Sequence, residues 1–427
     1  MAHTPETRTT LADVLNEVYR PMIIAQSPEQ ALLFRRLETV IPKDQMGGKN
    51  FNIHVRYNAM GGVGSAGEGD SLMQSLPGNY DLATLSFYWH YFTMSVSGQA
   101  MATSANNVYA AMEALALETD VKTQAFYQML NRQACADGLA ILAQQDGAVA
   151  AQVITIDNAG GWSGFNGSNV NGHRYLTINQ YIQCRDSSGT AQDGGLLITA
   201  LTRGAYPETS AYMTVSGTCS SCADGSYYYQ AFSTTASNDA YGHEMPGVKQ
   251  LIDDNSVAVT VQGISATTYP EWRSQIGYGA TPGTAEALTN LRMNDLYSDV
   301  LVNARGNIGF ITTSPAVFTT YAHMVDNQNI IMNAETYDVA YPSLSFNGIP
   351  VFQDPYMADE MYFIDPSTVK FYQSVEPGWI DYGGSPYEKT PDKDELQATW
   401  RWYLTMGIEN RAKNAKLVDI TVLSNKY

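Results

Sequence analysis

The spacing of apolar positions changes several times along the chain, and each change predicts an element. Leu11, Val14, Leu15 and Val18, then Leu32, Leu33 and Leu37, recur at helical intervals broken by Pro21 and Pro28. That pattern predicts short helices or an extended arm. Residues 51–57 (FNIHVRY) alternate apolar and polar, and a second alternating run spans 82–101. Between them lies a glycine-rich stretch, so the pair predicts a long hairpin over 49–102. From 107 to 145 the chain has one glycine, Gly138, and no proline, with Val108, Met112, Leu115, Val121, Ala125, Met129 and Leu130 near helical spacing. This predicts a helix of roughly 35 residues, about 50 Å long, which needs a long partner surface.

After Asp146 the texture changes to Gly, Ser, Thr, Asn and Tyr. Short alternating runs at 153–156, 181–184, 196–201, 212–215 and 227–232 are separated by turn residues at 186–189 and 193–195. They predict a small inserted all-β unit, a barrel or a sandwich. Beyond 245 the pattern mixes again. A helix is expected over 284–304, a buried strand over 308–312 and a short helix from Pro315, where proline suits a helix start. Further strands are expected at 349–352, 361–364, 399–406 and 416–423. The fold class is therefore α+β.

Composition narrows the function. The chain has 427 residues, enough for one large core or two to three smaller ones. Its 24 basic and 42 acidic side chains leave a formal charge of −18, which disfavours tight binding to nucleic acid through phosphates. Charge is sparse and Tyr is abundant, at 28 residues. That mix suits broad protein–protein surfaces, because Tyr offers large amphipathic area at low entropic cost. The polar start MAHTPETRTT predicts no secretory leader, and no apolar run is long enough to predict a membrane span.

The stretch RYNAMGGVGSAGEGDSL (56–72) contains Gly62-x-Gly64-x-x-Gly67, the spacing of a dinucleotide cradle. The cradle needs a buried strand before it and a helix opening directly after it, whose N-terminus meets the phosphates. Here the preceding strand is half-exposed, Glu68 and Asp70 follow, and Pro77-Gly78 interrupts the chain. The expectation is a reaching hairpin tip with no cofactor. A nucleotide-binding enzyme using this loop is the remote alternative.

Other catalytic patterns are missing from the sequence. There is no H-E-x-x-H, no G-x-S-x-G and no G-x-x-x-x-G-K-[ST], so no catalytic residues are assigned. The carboxylate pairs Asp253-Asp254 and Asp359-Glu360 are expected to be solvated loop charges. Cys219-Ser220-Ser221-Cys222 is the one metal-like motif. A structural zinc site usually takes two such pairs. Cys184 and His243 would complete a set only if folding brought them together. The expectation is no metal, with Cys219 and Cys222 as loop thiols or an adventitious disulfide, and Cys135 as a small core residue of the long helix.

The order of these parts, with several local phrases, resembles the major capsid protein of tailed double-stranded DNA bacteriophages, whose fold is shared with encapsulins. The phrases are GVKQLIDDNSVAVTVQGISATTYPEWRSQI (247–276), NIGFITTSPAVFTTY (307–321), NGIPVFQDPYMADEMYFIDPSTVKFY (347–372) and WRWYLTMGIENRAKNAKLVDI (400–420). The resemblance implies an N-terminal arm over 1–48, an E-loop hairpin over 49–102 and a spine helix with peripheral domain over 103–149. It implies an inserted barrel or sandwich over 150–243, a peripheral and axial segment over 244–350, and closing strands over 351–427. It implies a non-enzymatic shell subunit that assembles as hexamers and pentamers, with scaffolding, portal and possibly decoration proteins as partners. Packaged DNA would be enclosed without sequence-specific contact, and no membrane is implied. The site would be the virion capsid, assembled in the host cytoplasm. An encapsulin-like compartment holding a cargo enzyme is the alternative. The hairpin would lie over a neighbouring subunit, making Arg56, Gly62, Gly64, Gly67, Glu68 and Asp70 interface candidates.

Overall fold

A computed structural model describes residues 32–40, 50–57, 63–71, 73–74, 78–97, 99, 108–149, 152–162, 172–203, 211–217, 219, 221–233, 238–327, 344–381, 387–389 and 393–423. Most of the expected arm over 1–48, and Gly62, lie outside them.

A short helix (Leu32–Arg36) leads into strand β1 (Thr39–Val40). Strands β2 (Asn50–Arg56) and β3 (Tyr80–Ser86) pair antiparallel in unbroken register, from Asn50 opposite Ser86 to Arg56 opposite Tyr80. The alternation in β2 puts Phe51 and Val55 inward and Asn52, His54 and Arg56 outward. The second alternating run is not one strand. It breaks at Phe87, and β4 (Tyr88–Ser97) leaves the hairpin to pair with another sheet.

The long helix spans Val108–Cys135, 28 residues and about 42 Å, shorter than the sequence pattern suggests. Gly138 and Ala140 both take positive φ, at 78° and 64°, and turn the chain out of the helix into strand β5 (Ile141–Gln145). Pro246 and Gly247 then pack across the helix end. A Cβ on Gly247 would lie 2.3–2.6 Å from the carbonyl oxygens of Gln133, Ala134 and Ala136, so only glycine allows this approach.

The last helical turns are buried on all sides, yet they carry three consecutive polar residues. Each is satisfied by a different part of the chain, as burial requires. Asn131 donates to Asp354 at 2.9 Å and accepts from the Phe34 amide at 3.0 Å. Arg132 pairs with Glu244, and Gln133 meets His90 Nε2 of β4 at 2.7 Å. Around this turn Phe126, Leu130 and Ala134 join Leu33, Phe34, Leu251, Trp272, Phe371 and Leu404 in the first core.

After β5 come β6 (Val153–Asp157), β7 (Tyr181–Arg185), β8 (Ala191–Thr202), β9 (Ala211–Val215) and β10 (Tyr227–Gln230). They close into a barrel in the order β10-β5-β6-β9-β8-β7. Ile154, Ile156, Ile182, Ile198, Met213, Val215 and Tyr228 fill it, as alternation predicts for a small closed sheet. The barrel is docked by aromatic contacts. Tyr175 stacks on Tyr356 at 5.8 Å and donates to its carbonyl at 2.7 Å, while Trp162 donates to Asp137 at 3.1 Å.

Among the described residues the rest of the chain builds two larger sheets, a short hairpin of β11 (Thr260–Val261) and β12 (Ile264–Ser265), and a parallel pair of β14 (Glu286–Ala287) with β23 (Ile420–Thr421). The first contains β19 (Val369–Trp379), β20 (Tyr387–Lys389) and β21 (Glu395–Ile408), with β1 parallel to β19 and β4 along the other edge of β21. The second is a six-stranded mixed sheet. It uses β13 (Gln275–Gly277), β15 (Phe310–Thr313), β16 (Leu344–Phe346), β17 (Ile349–Gln353), β18 (Met361–Ile364) and β22 (Ala415–Leu417), in the order β13-β22-β18-β15-β17-β16. Helices Asn290–Asp299 and Pro315–Asn327 supply Met293, Leu296, Val317 and Tyr321 to its core. The expected helix over 284–304 begins later, capped by the Thr289 hydroxyl accepting from the Arg292 amide, because 286–287 is drawn into a strand beside Ile420–Thr421. It continues in π-helical form through Val300–Ala304.

Candidate assembly surface

One face of the hairpin is packed along its length. At the root Phe51 and Leu85 pack on Tyr372 and the Thr84 amide donates to the Gln262 carbonyl at 2.7 Å, and at the tip end of β2 Tyr57 stacks on Tyr269 at 4.5 Å. Farther out, Tyr80, Leu82, Val63 and Met73 are exposed. A two-stranded ribbon alone is marginal, and these four side chains are exposed on it.

The sequence-predicted candidates fall as follows. Arg56 is exposed at the end of β2, and Gly64, Gly67, Glu68 and Asp70 are exposed in the tip. The Asp70 carboxylate accepts from the Gly67 amide at 2.9 Å, and the Asp70 amide donates back to the Gly67 carbonyl at 3.2 Å. The tip glycines therefore form a closed turn, in which a carboxylate of the chain holds the amide a phosphate would need. The next element among the described residues is strand β3, not a helix, so the context of a dinucleotide cradle is missing.

A second exposed surface went unremarked in the sequence. Along β4 the odd positions face out and the even ones in. His90 and Met94 are buried, whereas Trp89 is 58% and Tyr91 47% exposed. Register places Trp89 opposite Tyr403 and Tyr91 opposite Arg401 on β21. Trp89 meets the edge of Tyr403 at 4.6 Å, Tyr91 donates to the Tyr403 hydroxyl at 3.0 Å, and the Arg401 guanidinium lies 5.6 Å from the Tyr403 ring. The result is an ordered aromatic ladder on an open sheet face. Clusters of Trp, Tyr and Arg of this kind are enriched in interface hot spots. The period-2 alternation could have revealed it, but only once the partner strand, some 300 residues away, was known.

Inside, the two carboxylate pairs depart from expectation. Asp253 is fully buried. It accepts from Lys416 Nζ at 3.1 Å, from the Ser256 hydroxyl, and from the amides of Asn255, Val257 and Ala258. Burial pushes its carboxyl up, but Lys416 and these donors outweigh that and hold it at about 2. Glu360 accepts from Lys249 at 2.6 Å and from the Tyr362 hydroxyl. Burial is again outweighed, here by Lys249 and Lys416, leaving it at about 2. Asp254, by contrast, accepts from neutral donors, Tyr278 at 2.9 Å and the Ser256 amide at 3.2 Å, and Asp359 accepts from Ser314 at 2.6 Å. Beside this network Arg411 donates to the carbonyls of Leu251, Trp272 and Asp253 at 2.7–3.0 Å. These charges hold structure together at the boundary of the two cores.

In the barrel Cys184 and Cys222 form a disulfide, and Cys219 lies buried beside it. Folding thus supplies the partner for Cys222 that spacing alone did not. Cys135 is the buried last residue of the long helix.

No protein-family model matches the sequence, and a search of curated proteins finds no similar chain. Solved structures do match. The capsid asymmetric unit of cyanophage A-1(L) covers 97% of this chain and 100% of its own at TM-score 0.56 and 16% identity. The capsid of a native GTA particle covers 98% and 100% at TM-score 0.53 and 10% identity. At such identities the likeness defines the fold: this chain has the α+β fold of phage-type capsid subunits over nearly its whole length. No described helix is long and apolar enough to cross a membrane.

Proposed function

We propose that this chain is the major capsid protein of a tailed double-stranded DNA bacteriophage. Copies of it assemble as hexamers and pentamers into a closed icosahedral head, and the work is done by interfaces rather than by catalysis. The observation that carries this is the end-to-end match of fold to two capsid subunits. Physical support comes from the surface. A single subunit leaves the hairpin's Tyr80, Leu82, Val63 and Met73 and the Trp89–Tyr403–Tyr91 ladder uncovered. Exposed apolar groups arranged in this way mark association sites.

In this reading the hairpin lies across a neighbouring subunit, with Arg56, Glu68 and Asp70 at its contacts. Gly64 and Gly67 let the tip turn without side chains in the way. Scaffolding, portal and decoration proteins are the expected partners, and the virion head is the location. The net charge of −18 suits a container in which packed DNA moves freely rather than adhering.

Negative-stain electron microscopy with light scattering on the full chain tests the proposal. Closed shells, or rings of five and six, are expected. A uniform monomer, both alone and with co-expressed scaffold, would overturn it.

A further inference from the structure

A titratable ring is buried directly behind the aromatic ladder. His90 sits on β4 between Trp89 and Tyr91 but points the other way, and it is 4% exposed. Across the sheet it stands opposite Trp402 of β21, and against it lies the end of the long helix. Its Nε2 is 2.7 Å from Gln133 Oε1. That oxygen can only accept, so Nε2 carries the ring proton. Nδ1 is then a bare acceptor, and among the described residues it has no hydrogen-bond partner. The backbone carbonyls of Tyr88 and Trp402 lie near the ring and favour a proton on it, because a carbonyl accepts and cannot donate. Neutral His90 is therefore one proton short of what its surroundings could use.

A proton at Nδ1 would meet acceptors but place a charge in the core. The charges that face it are two. Glu244, in the segment before the 248–251 helix, favours the imidazolium, but it is already paired with Arg132 of the long helix. Gln133 on that helix and Trp402 on β21 bring no charge. Burial outweighs the favourable groups and holds the ring below its ordinary 6.5. The folded chain thus resists a proton that the open chain accepts.

We propose that His90 is an acid-sensitive latch between β4 and the end of the long helix: the neutral ring locks the strand to Gln133, and protonation drives the ring to water and releases the strand that carries Trp89 and Tyr91. Above pH 6.5 neither state is protonated and the latch is closed. As pH falls below 6.5 the open state takes up the proton first. Its population relative to the closed state rises about tenfold per pH unit until the folded ring titrates as well. This window lies above the span from about 4.5 to 2 in which Asp253 and Glu360 lose their charge, so the two processes separate.

Two measurements on the full chain test this. Hydrogen–deuterium exchange at histidine C2, read by mass spectrometry, reports the titration of each of the six histidines. His90 should show a midpoint below 6.5. Backbone amide exchange, corrected for its intrinsic pH dependence, should show residues 88–97 and 126–135 losing protection between pH 6.5 and 5, by up to about tenfold per pH unit. His90→Gln keeps a donor for Gln133 and cannot titrate, so its protection in both segments should not change over that range. A His90 midpoint at or above 6.5, or the same loss of protection in the native chain and in His90→Gln, would overturn the proposal. Should the variant not fold, the native chain decides alone: a lowered midpoint with loss of protection in 88–97 supports the latch, and unchanged protection at pH 5 refutes it.

Discussion

Replacing Lys416 with Met tests how the two cores are held together. Lys416 lies on β22 between Ala415 and Leu417, which point into the second core, while its own side chain points the other way to Asp253. The side chains are 2% and 0% exposed, with 3.1 Å between Nζ and Oδ1. At that distance and an effective dielectric of ~20, the attraction is about 5 kcal/mol. Met keeps the aliphatic stem and removes the charge, so the cost of burying the ammonium is recovered in part. The expected net loss is about 3 kcal/mol at neutral pH, at the lower end for breaking a buried pair.

The pH dependence carries more information than the midpoint. Asp253 and Glu360 are held at about 2 in the folded chain, below their ordinary 3.8 and 4.5. Groups lowered in this way stabilise the fold above their unfolded values, and that stability is lost as pH falls through the folded ones. For the native chain the loss falls between about pH 4.5 and 2. Without Lys416 the burial of Asp253 is no longer offset by its cation, while Glu360 keeps Lys249, so the folded values move up and the loss on acidification becomes shallower than in the native chain. Thermal and urea unfolding of the full chain, measured from pH 2 to 7, read both effects. Asp253→Asn with Lys416→Met should recover part of the loss, since neither charge is then stranded. A single-variant loss below ~1 kcal/mol, or an acid profile parallel to the native one, would refute the reasoning.

Other outcomes follow from single sites. Leu130→Ala, fully buried in the first core, should cost about 2–5 kcal/mol in chemical denaturation. Gly247→Ala places a methyl against three carbonyl oxygens at the helix end and should cost about 1–3 kcal/mol, read as a lowered urea midpoint. Trp89→Ala and Tyr91→Ala should change subunit stability by only about 1 kcal/mol, the worth of an exposed aromatic pair. If the ladder is an interface, each should sharply reduce shell yield in light scattering. Unchanged assembly in both would remove the ladder from the contact surface.

Local pattern carried the elements further than their partners. The alternation of 51–57 and of 153–156 coincides with β2 and β6 because side-chain period is a property of a few residues. The long helix was legible for the same reason, but its end was not. Gly138 alone reads as tolerable within a helix, and the positive φ at Ala140 has no sequence signature. Phe87, where one alternating run becomes two strands of different sheets, was equally silent. Non-local relations were invisible. Asp253 and Glu360 read as loop charges because their cations, Lys416 and Lys249, lie 163 and 111 positions away. Cys222 found Cys184 across 38 residues only when β7 and β10 closed the barrel. The overall architecture was legible chiefly through the order of parts and the resemblance of four phrases to those of capsid proteins, rather than through any chemical motif.

That distribution suits the shell subunit proposed above, whose task would be to keep one shape. An exposed ion pair contributes little, and a buried one does not out-stabilise a well-packed apolar contact. The charges at 132–244, 249–360 and 253–416 therefore add little to net stability over hydrophobic replacements. What they impose is directional. Each is satisfied in one mutual placement of the elements that carry it, and a slipped packing of the two cores would strand a charge at a cost of several kcal/mol. Apolar cores alone tolerate such slippage better, because hydrophobic contact is non-directional. The surface follows the opposite logic: aromatic groups lie open on β4 and the hairpin, where a neighbour can cover them. In the proposed shell of many copies, angular errors in one subunit would propagate around every ring. A body fixed by buried directional contacts, presenting apolar faces at a set angle, is what such a lattice requires.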